Sequence, residues 1–209
     1  MVQDNTNVFI NCPFDDDYWD IFRAIVFTII RMGHKPRFSL ERADSGEPRI
    51  QKLIEIIRQS KYEIHDLSRC IAKKKGELFR LNMPLELGIG LGARYFGQGN
   101  LKSKKFLILE EERYRFQAAI SDISNSDIKA HGGEPIQAVK VVRDWLVQEA
   151  GANPQSPTEI WYDFNDCLAD VYDQLTLEGY SKKDIDDFPE NELTQRMIIW
   201  IENKGFNHG

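Results

Sequence analysis

The sequence has three cysteines, four histidines and no long apolar run, and each shortage removes a class of function. Cys12, Cys70 and Cys167 are odd in number, widely spaced and never paired as CxxC, so neither a disulfide framework nor a zinc motif is indicated. His34, His65, His131 and His208 form no HxxxH pair, and no metal is expected. No apolar stretch reaches the roughly 18 residues of a membrane span and residues 1–7 are polar, so a cytoplasmic protein without membrane contact is expected. Basic charge is also short. Lys and Arg total 27 against 33 Asp and Glu, a net −6, and without a broad basic face nucleic acid is not an expected partner. Finally there is no Walker loop, and Gly88-Ile89-Gly90-Leu91-Gly92 is not a GxGxxG following a strand; those glycines read as close helix packing.

What the chain does have is enough apolar material for a core: 42% hydrophobic and 11% aromatic residues in 209, with both signs of charge mixed. That predicts a globular domain with an appendage. Val8-Phe9-Ile10-Asn11 reads as a strand, 13–17 as a loop, and 18–32 as a helix whose apolar residues recur at helical spacing until Gly33 closes it. A second strand (36–40), a polar loop (41–48) and a helix with Ile50, Leu53, Ile54, Ile56 and Ile57 on its stripe follow. Residues 62–67 alternate as a third strand, and 71–81 reads as a loop or short helix. A helix over 82–94 and a fourth strand over 105–109 come next. A helix over 113–123, a fifth strand over 127–131 and a helix over 135–150 complete the series. Strands alternating with helices predict an α/β, Rossmann-like (flavodoxin-like) five-stranded parallel sheet with helices on both faces, its functional loops at the carboxyl ends of the strands. The linker 151–157 divides this domain (1–150) from a C-terminal helical appendage within 151–209, with helices over 160–177 and 192–201.

Chemistry concentrates at the strand ends. In Asn82-Met83-Pro84-Leu85-Glu86-Leu87-Gly88, Pro84 suits a first helical turn and Asn82 a cap, which places Glu86 in that turn among apolar neighbours. It is either a solvated first-turn glutamate at the positive end of the helix dipole or a carboxylate tuned for reaction. Asp66 ends the third strand, where an acid either faces a ligand or caps the loop. His65 points to the opposite face, as a satisfied core histidine. In the first loop, Asn11, Pro13, Phe14 and Asp15 offer an aromatic ring for stacking on a base beside an acid for ribose hydroxyls; a helix cap with a hydrophobic staple is the alternative. In the second, Arg42, Ser45 and Arg49 can hold phosphate, Arg49 near a helix start, or serve as solvated loop charge.

With these residues assembled, the chain resembles the Toll/interleukin-1 receptor (TIR) and nucleoside deoxyribosyltransferase-like superfamily over roughly residues 8–131. The opening strand, Ser45-Gly46 after the second strand, the Ile57-to-Tyr62 lead-in to Asp66, and above all Glu86-Leu87-Gly88 carry the resemblance. The first strand departs from it, ending Asn11-Cys12-Pro13 where TIR domains have Ser and a small polar residue. The resemblance implies cleavage of a nucleotide N-glycosidic bond, with NAD as substrate rather than cofactor. Glu86 is then nucleophile or oxocarbenium stabiliser, and Asp66 the acid that an ordinary nucleoside would need. Asn11, Pro13, Phe14, Asp15, Arg42, Ser45, Gly46, Arg49, Ser68 and Asn82 are the implied substrate-binding residues. It further implies a bacterial defence or signalling setting with activation through a homo-oligomer or partner protein. A non-catalytic nucleotide-sensing module and a nucleoside deoxyribosyltransferase or hydrolase are the competing expectations.

Overall fold

The computed structural model describes residues 4–42, 44–69, 81–113, 120–123 and 126–206. The expected loop or helix over 71–80, residues 114–119 of the expected helix over 113–123, Cys70 and His208 lie outside them.

Five strands, β1 (Asp4–Asn11), β2 (Lys35–Arg37), β3 (Ser60–Asp66), β4 (Lys105–Glu110) and β5 (Lys129–Ala130), form one all-parallel sheet in the order β2-β1-β3-β4-β5. Around it lie α1 (Trp19–Arg31), α2 (Arg49–Gln59), α3 (Asn82–Phe96) and α4 (Pro135–Ala150), followed by α5 (Pro157–Leu177), α6 (Lys182–Asp186) and α7 (Glu190–Asn203). This is the expected Rossmann-like arrangement, and its strand order reverses between β1 and β3. Alternation along the strands divides the core. Val8, Ile10, Ile64, Leu107 and Leu109 join α1 and α4 on one face. On the other, Phe9 packs with Leu53, Ile56 and Ile57 of α2, while Ile108 packs with Met83 and Leu87 of α3. Cover on both faces is what makes these strands near-continuous apolar runs.

The elements depart from expectation at their edges for local reasons. β2 stops at Arg37, and Ser39–Glu41 forms a 3₁₀ turn because Phe38 turns inward onto Phe22, the two rings 5.2 Å apart. β3 begins at Ser60 directly after α2, where the Ser60 hydroxyl donates to the Ile56 carbonyl (2.9 Å) and leaves no connecting loop. α4 ends at Gly151, whose φ of 71° is the left-handed cap that glycine adopts without strain.

The helices beyond residue 150 share an apolar cluster with the sheet. α1 is buried from Ile21 through Arg31 except for Arg23, because the sheet covers one side and α5 and α7 the other; a helix apolar on all sides is an interior helix. Phe27 of α1 meets Phe164 of α5 at 5.5 Å and Trp200 of α7 at 6.0 Å between ring centroids. Arg31 donates to Asp163 (3.0 Å), and Arg23 forks onto Glu190. The expected boundary at 150/151 is a chain connection within one apolar cluster. Among the described residues no helix is long and apolar enough to cross a membrane.

A shared core sets the outcome of unfolding. Phe27→Ala is expected to cost about 3–5 kcal/mol in urea denaturation, with tryptophan fluorescence and helical circular dichroism still falling in one coincident transition. Two separated transitions would show that α5–α7 fold independently of the sheet.

Candidate functional site

A parallel sheet whose order reverses leaves a crevice at the carboxyl ends of the two strands flanking the reversal, here β1 and β3. The side chains there fall into two clusters on opposite faces of the sheet.

On the α2/α3 face, Glu86 is 4% exposed. It is the fifth residue of α3, one residue further in than expected, because the helix begins at Asn82 with Leu81 in the cap position. Asn82 therefore does not cap. Four residues before Glu86 on the same helical face, its side chain bonds the Glu86 carboxylate. The Arg49 guanidinium, from the first residue of α2, stands 4.0 Å from Glu86 Oε1. Burial pushes the Glu86 carboxyl up to about 7, against the pull of the Arg49 charge and the Asn82 hydrogen bond. Leu85 beside it is exposed, so the helix turns its carboxylate inward and a leucine outward. Asn11 lies beneath, its amide nitrogen donating to the Met83 carbonyl (2.8 Å) and facing His65 Nδ1 (2.9 Å). It ties the start of α3 to the sheet.

On the α1/α4 face, Asp66 is fully buried. Its Oδ2 accepts from the Tyr18 hydroxyl (2.7 Å) and His131 Nε2 (2.9 Å), and its Oδ1 from the Ser68 amide (2.8 Å). Burial raises the Asp66 carboxyl, but the hydrogen bonds from His131, Ser68 and Tyr18 outweigh it and hold the group below the ordinary range. A carboxylate kept ionised, with both oxygens engaged, is the opposite of the proton donor expected at this position. Ser68 is likewise not a nucleophile awaiting a base. The Gly133 amide donates to His131 Nδ1 (3.1 Å), so Nε2 carries the proton and presents it to Asp66 and to Ser68 Oγ at 3.2 Å. A cleft of about 130 Å³ beside this cluster is lined by Tyr18, Ser68, Arg69 and His131 among others.

Both clusters stand at the same sheet edge. The buried Cys12 thiol between them is pushed far up, by burial first and then by the charges of Asp66 and Glu86. A shared crevice of Glu86, Asp66 and Phe14 is not what forms, however. Phe14 packs on Trp19 (5.8 Å) and Phe22 (5.5 Å) as a staple on α1, Pro13 is buried, and Asp15 pairs with Arg69 (3.4 Å). In the second loop, Arg42 is committed to Glu55 (2.7 Å) and Glu47 (3.4 Å). Ser45 and Gly46 are exposed in a turn closed by the Gly46 amide on Asp44 Oδ1 (2.9 Å). Of the expected residues, the structure thus gathers Glu86, Arg49 and Asn82, with Asn11 behind them.

Tyr18, Arg69, Glu63 and Lys104 belong to this edge or its support and were not singled out, nor was His131 given a role. His131 carries a legible signal: it follows β5 and precedes Gly132-Gly133, the strand-end position that selected Asp66. Among the described residues no group of three His, Cys, Asp or Glu side chains is placed to hold a metal ion. No protein-family model, curated protein or solved structure matches the chain.

A raised carboxyl makes stability depend on pH with a definite sign. Glu86 contributes fully below the ordinary carboxyl value of 4.5, and that contribution is lost as pH rises through about 7. Glu86→Gln, which never ionises, is expected to match wild type near pH 4.5 and to exceed it at pH 8 by up to about 3 kcal/mol in chemical denaturation. Equal stabilities at both pH values would mean that Glu86 is well solvated.

Proposed function

We propose that this edge of the sheet binds a nucleotide and cleaves its N-glycosidic bond, with Glu86 as the reacting carboxylate and NAD as the favoured substrate. The observation that carries the reading is a carboxylate buried at the strand-order reversal with one guanidinium 4.0 Å away. Burial without close neutralisation is costly for a structural acid, and it is the usual condition of a reactive one. N-glycosidic cleavage passes through an oxocarbenium-like state at the ribosyl anomeric carbon, which a desolvated carboxylate on one sugar face stabilises or traps.

Asp66 narrows the substrate. A neutral nucleoside needs its base protonated as it leaves, and the ionised, saturated Asp66 has no proton to give. The nicotinamide of NAD is already cationic. As the C1′–N bond breaks, the electron pair stays on the ring nitrogen and the base departs neutral; water then adds at C1′ and gives up a proton to the Glu86 carboxylate or to solvent. Glu86 and Arg49 suffice for such a substrate, Arg49 being placed to meet a phosphate as well as to restrain Glu86. In this reading the protein is a cytoplasmic enzyme, and its resemblance to TIR-like effectors favours a setting in which assembly with a second copy or a partner precedes activity.

Purified protein incubated with NAD and, separately, with deoxynucleosides is expected to release nicotinamide from NAD, by chromatography, and little base from the others. Glu86→Gln is expected to lose about 100-fold or more. Because Glu86 acts ionised, kcat/KM should rise about tenfold per pH unit below about 7 and level off above it. Base release from deoxynucleosides but not NAD would move the assignment to deoxyribosyl transfer. No release from any substrate at high protein concentration would leave a nucleotide-binding module.

A further inference from the structure

Beneath α3 runs a chain of buried polar groups that the proposed chemistry does not use. Lys104, 1% exposed and just before β4, donates to the carbonyls of Ile57 and Ser60 (2.6 Å each) and to Glu63 Oε1, which employs all three ammonium hydrogens. Glu63, fully buried on β3, meets His65 Nε2 with its other oxygen at 2.9 Å. His65 Nδ1 meets the Asn11 amide nitrogen, and that nitrogen meets the Met83 carbonyl.

The directions along this chain are fixed. A carbonyl only accepts, so the atom of Asn11 facing Met83 is the amide nitrogen. The same nitrogen donates to His65 Nδ1, which must then be the bare ring nitrogen. The ring proton is therefore on Nε2, and it needs an acceptor, which is Glu63. Glu63 also bears on α3 directly: a Cβ at Gly90 would collide with Glu63 Oε2, so the helix lies flush on that carboxylate only because residue 90 is glycine. Met83 and Gly90 bracket Glu86. Both are held by the one chain.

We infer that Lys104, Glu63, His65 and Asn11 form a positioning relay for the reacting carboxylate, in which Glu63 selects the His65 tautomer, the tautomer selects the Asn11 amide orientation, and Asn11 holds the first turn of α3. The inference rests on the reading of Glu86 as the reacting group, and none of the four residues touches substrate. Loss of the acceptor at 63 frees the ring to place its proton on Nδ1. Asn11 then either turns its oxygen to the ring, which releases the Met83 carbonyl, or faces a ring N–H with its own N–H, a repulsion that loosens its hold on that carbonyl. A helix start displaced by under 1 Å is enough to lower turnover on the order of 100-fold.

The test uses the full chain carrying Glu63→Leu together with Lys104→Met, which removes both buried charges while filling their volume and leaves His65 without its acceptor. Glu63→Gln with Lys104→Met is the control, since a glutamine carbonyl still accepts from Nε2–H. Nitrogen-15 NMR of the His65 ring reads the tautomer, and carbon-13 NMR of the Glu86 carboxyl reads its titration without reference to activity. Wild type and control are expected to keep the proton on Nε2 and the same Glu86 midpoint. The leucine variant is expected to lose the tautomer, to shift the Glu86 midpoint down by about one pH unit as water reaches it, and to lose about tenfold or more in kcat on NAD with little change in KM. An unchanged Glu86 midpoint in the leucine variant, or a control that behaves like it, overturns the relay. If wild type releases no base from any substrate, the Glu86 titration still decides, so the glycosidic reading and the relay fail separately. Should the leucine variant not fold, Asn11→Ala cuts only the last link and is judged by the same titration.

Discussion

The strands β1 and β3 are covered by helices on both faces, and from that constraint the rest of the molecule follows. A polar group at their ends cannot turn to water; it must find a partner inside the protein or remain at a cost of several kcal/mol. Asp66 finds Tyr18, His131 and the Ser68 amide. Glu63 finds Lys104 and His65, and Asn11 divides its amide between His65 and the start of α3. Glu86 is under the same constraint with weaker compensation, a guanidinium at 4.0 Å and the Asn82 side chain. The difference between these carboxylates is how completely each is answered. Asp66 is answered fully and stays ionised; Glu86 is answered in part and is poised near neutrality.

The helices beyond residue 150 share this economy of burial. A sheet needs only α1 and α4 to cover one face, yet α1 is so apolar that its outer side also has to be covered. α5 and α7 do that, placing Phe164 and Trp200 on Phe27. Their charged residues reach the same edge: Glu190 of α7 holds Arg23, and its charge is felt at the Cys12 thiol. The cap thus lies on the α1/α4 side of the sheet, the side of Asp66 and Tyr18, and reaches the carboxyl edge through the Glu190 charge.

The fold was legible because its signals are local and repeated. Apolar runs such as Phe106 to Leu109, amphipathic stretches and glycine stops recur in an alternation that only a parallel sheet accommodates. The strand-end rule likewise found Asp66 and the start of α3. It could not tell an engaged acid from an available one, because that depends on what arrives from elsewhere in the chain, Tyr18 from 48 residues before and His131 from 65 after. Phe14 shows the same limit, since an aromatic beside a helix start serves equally to stack on a base or to staple the helix, and Trp19 and Phe22 decide it. The continuity of the core into α5 and α7 was hidden for a related reason. A Pro- and Gly-containing connection marks a turn in the chain and says nothing of whether the core continues across it. Lys104 left no trace at all: a lysine before a strand reads as a solvated flank, and only the carbonyls of Ile57 and Ser60 with Glu63 make it an interior residue.

What separates one chemistry from another at this edge is the supply of protons. A site with an acid and a base can cleave a neutral glycoside by protonating the leaving group on one side and attacking from the other. Here the second carboxylate has been spent on holding α1, β3 and the residues before α4 together, and His131 directs its only ring proton at that carboxylate. A single carboxylate titrating near 7 can stabilise a cationic sugar but cannot also discharge a neutral base. Any ribosyl chemistry at this site is therefore biased toward substrates that bring their own leaving-group charge, which is a property of the substrate's base and not of its phosphates. Arg49 bears on the same balance from the surface: its half-exposed guanidinium pulls the Glu86 carboxyl down against burial without returning it to the ordinary carboxylate range, which leaves the group poised near 7.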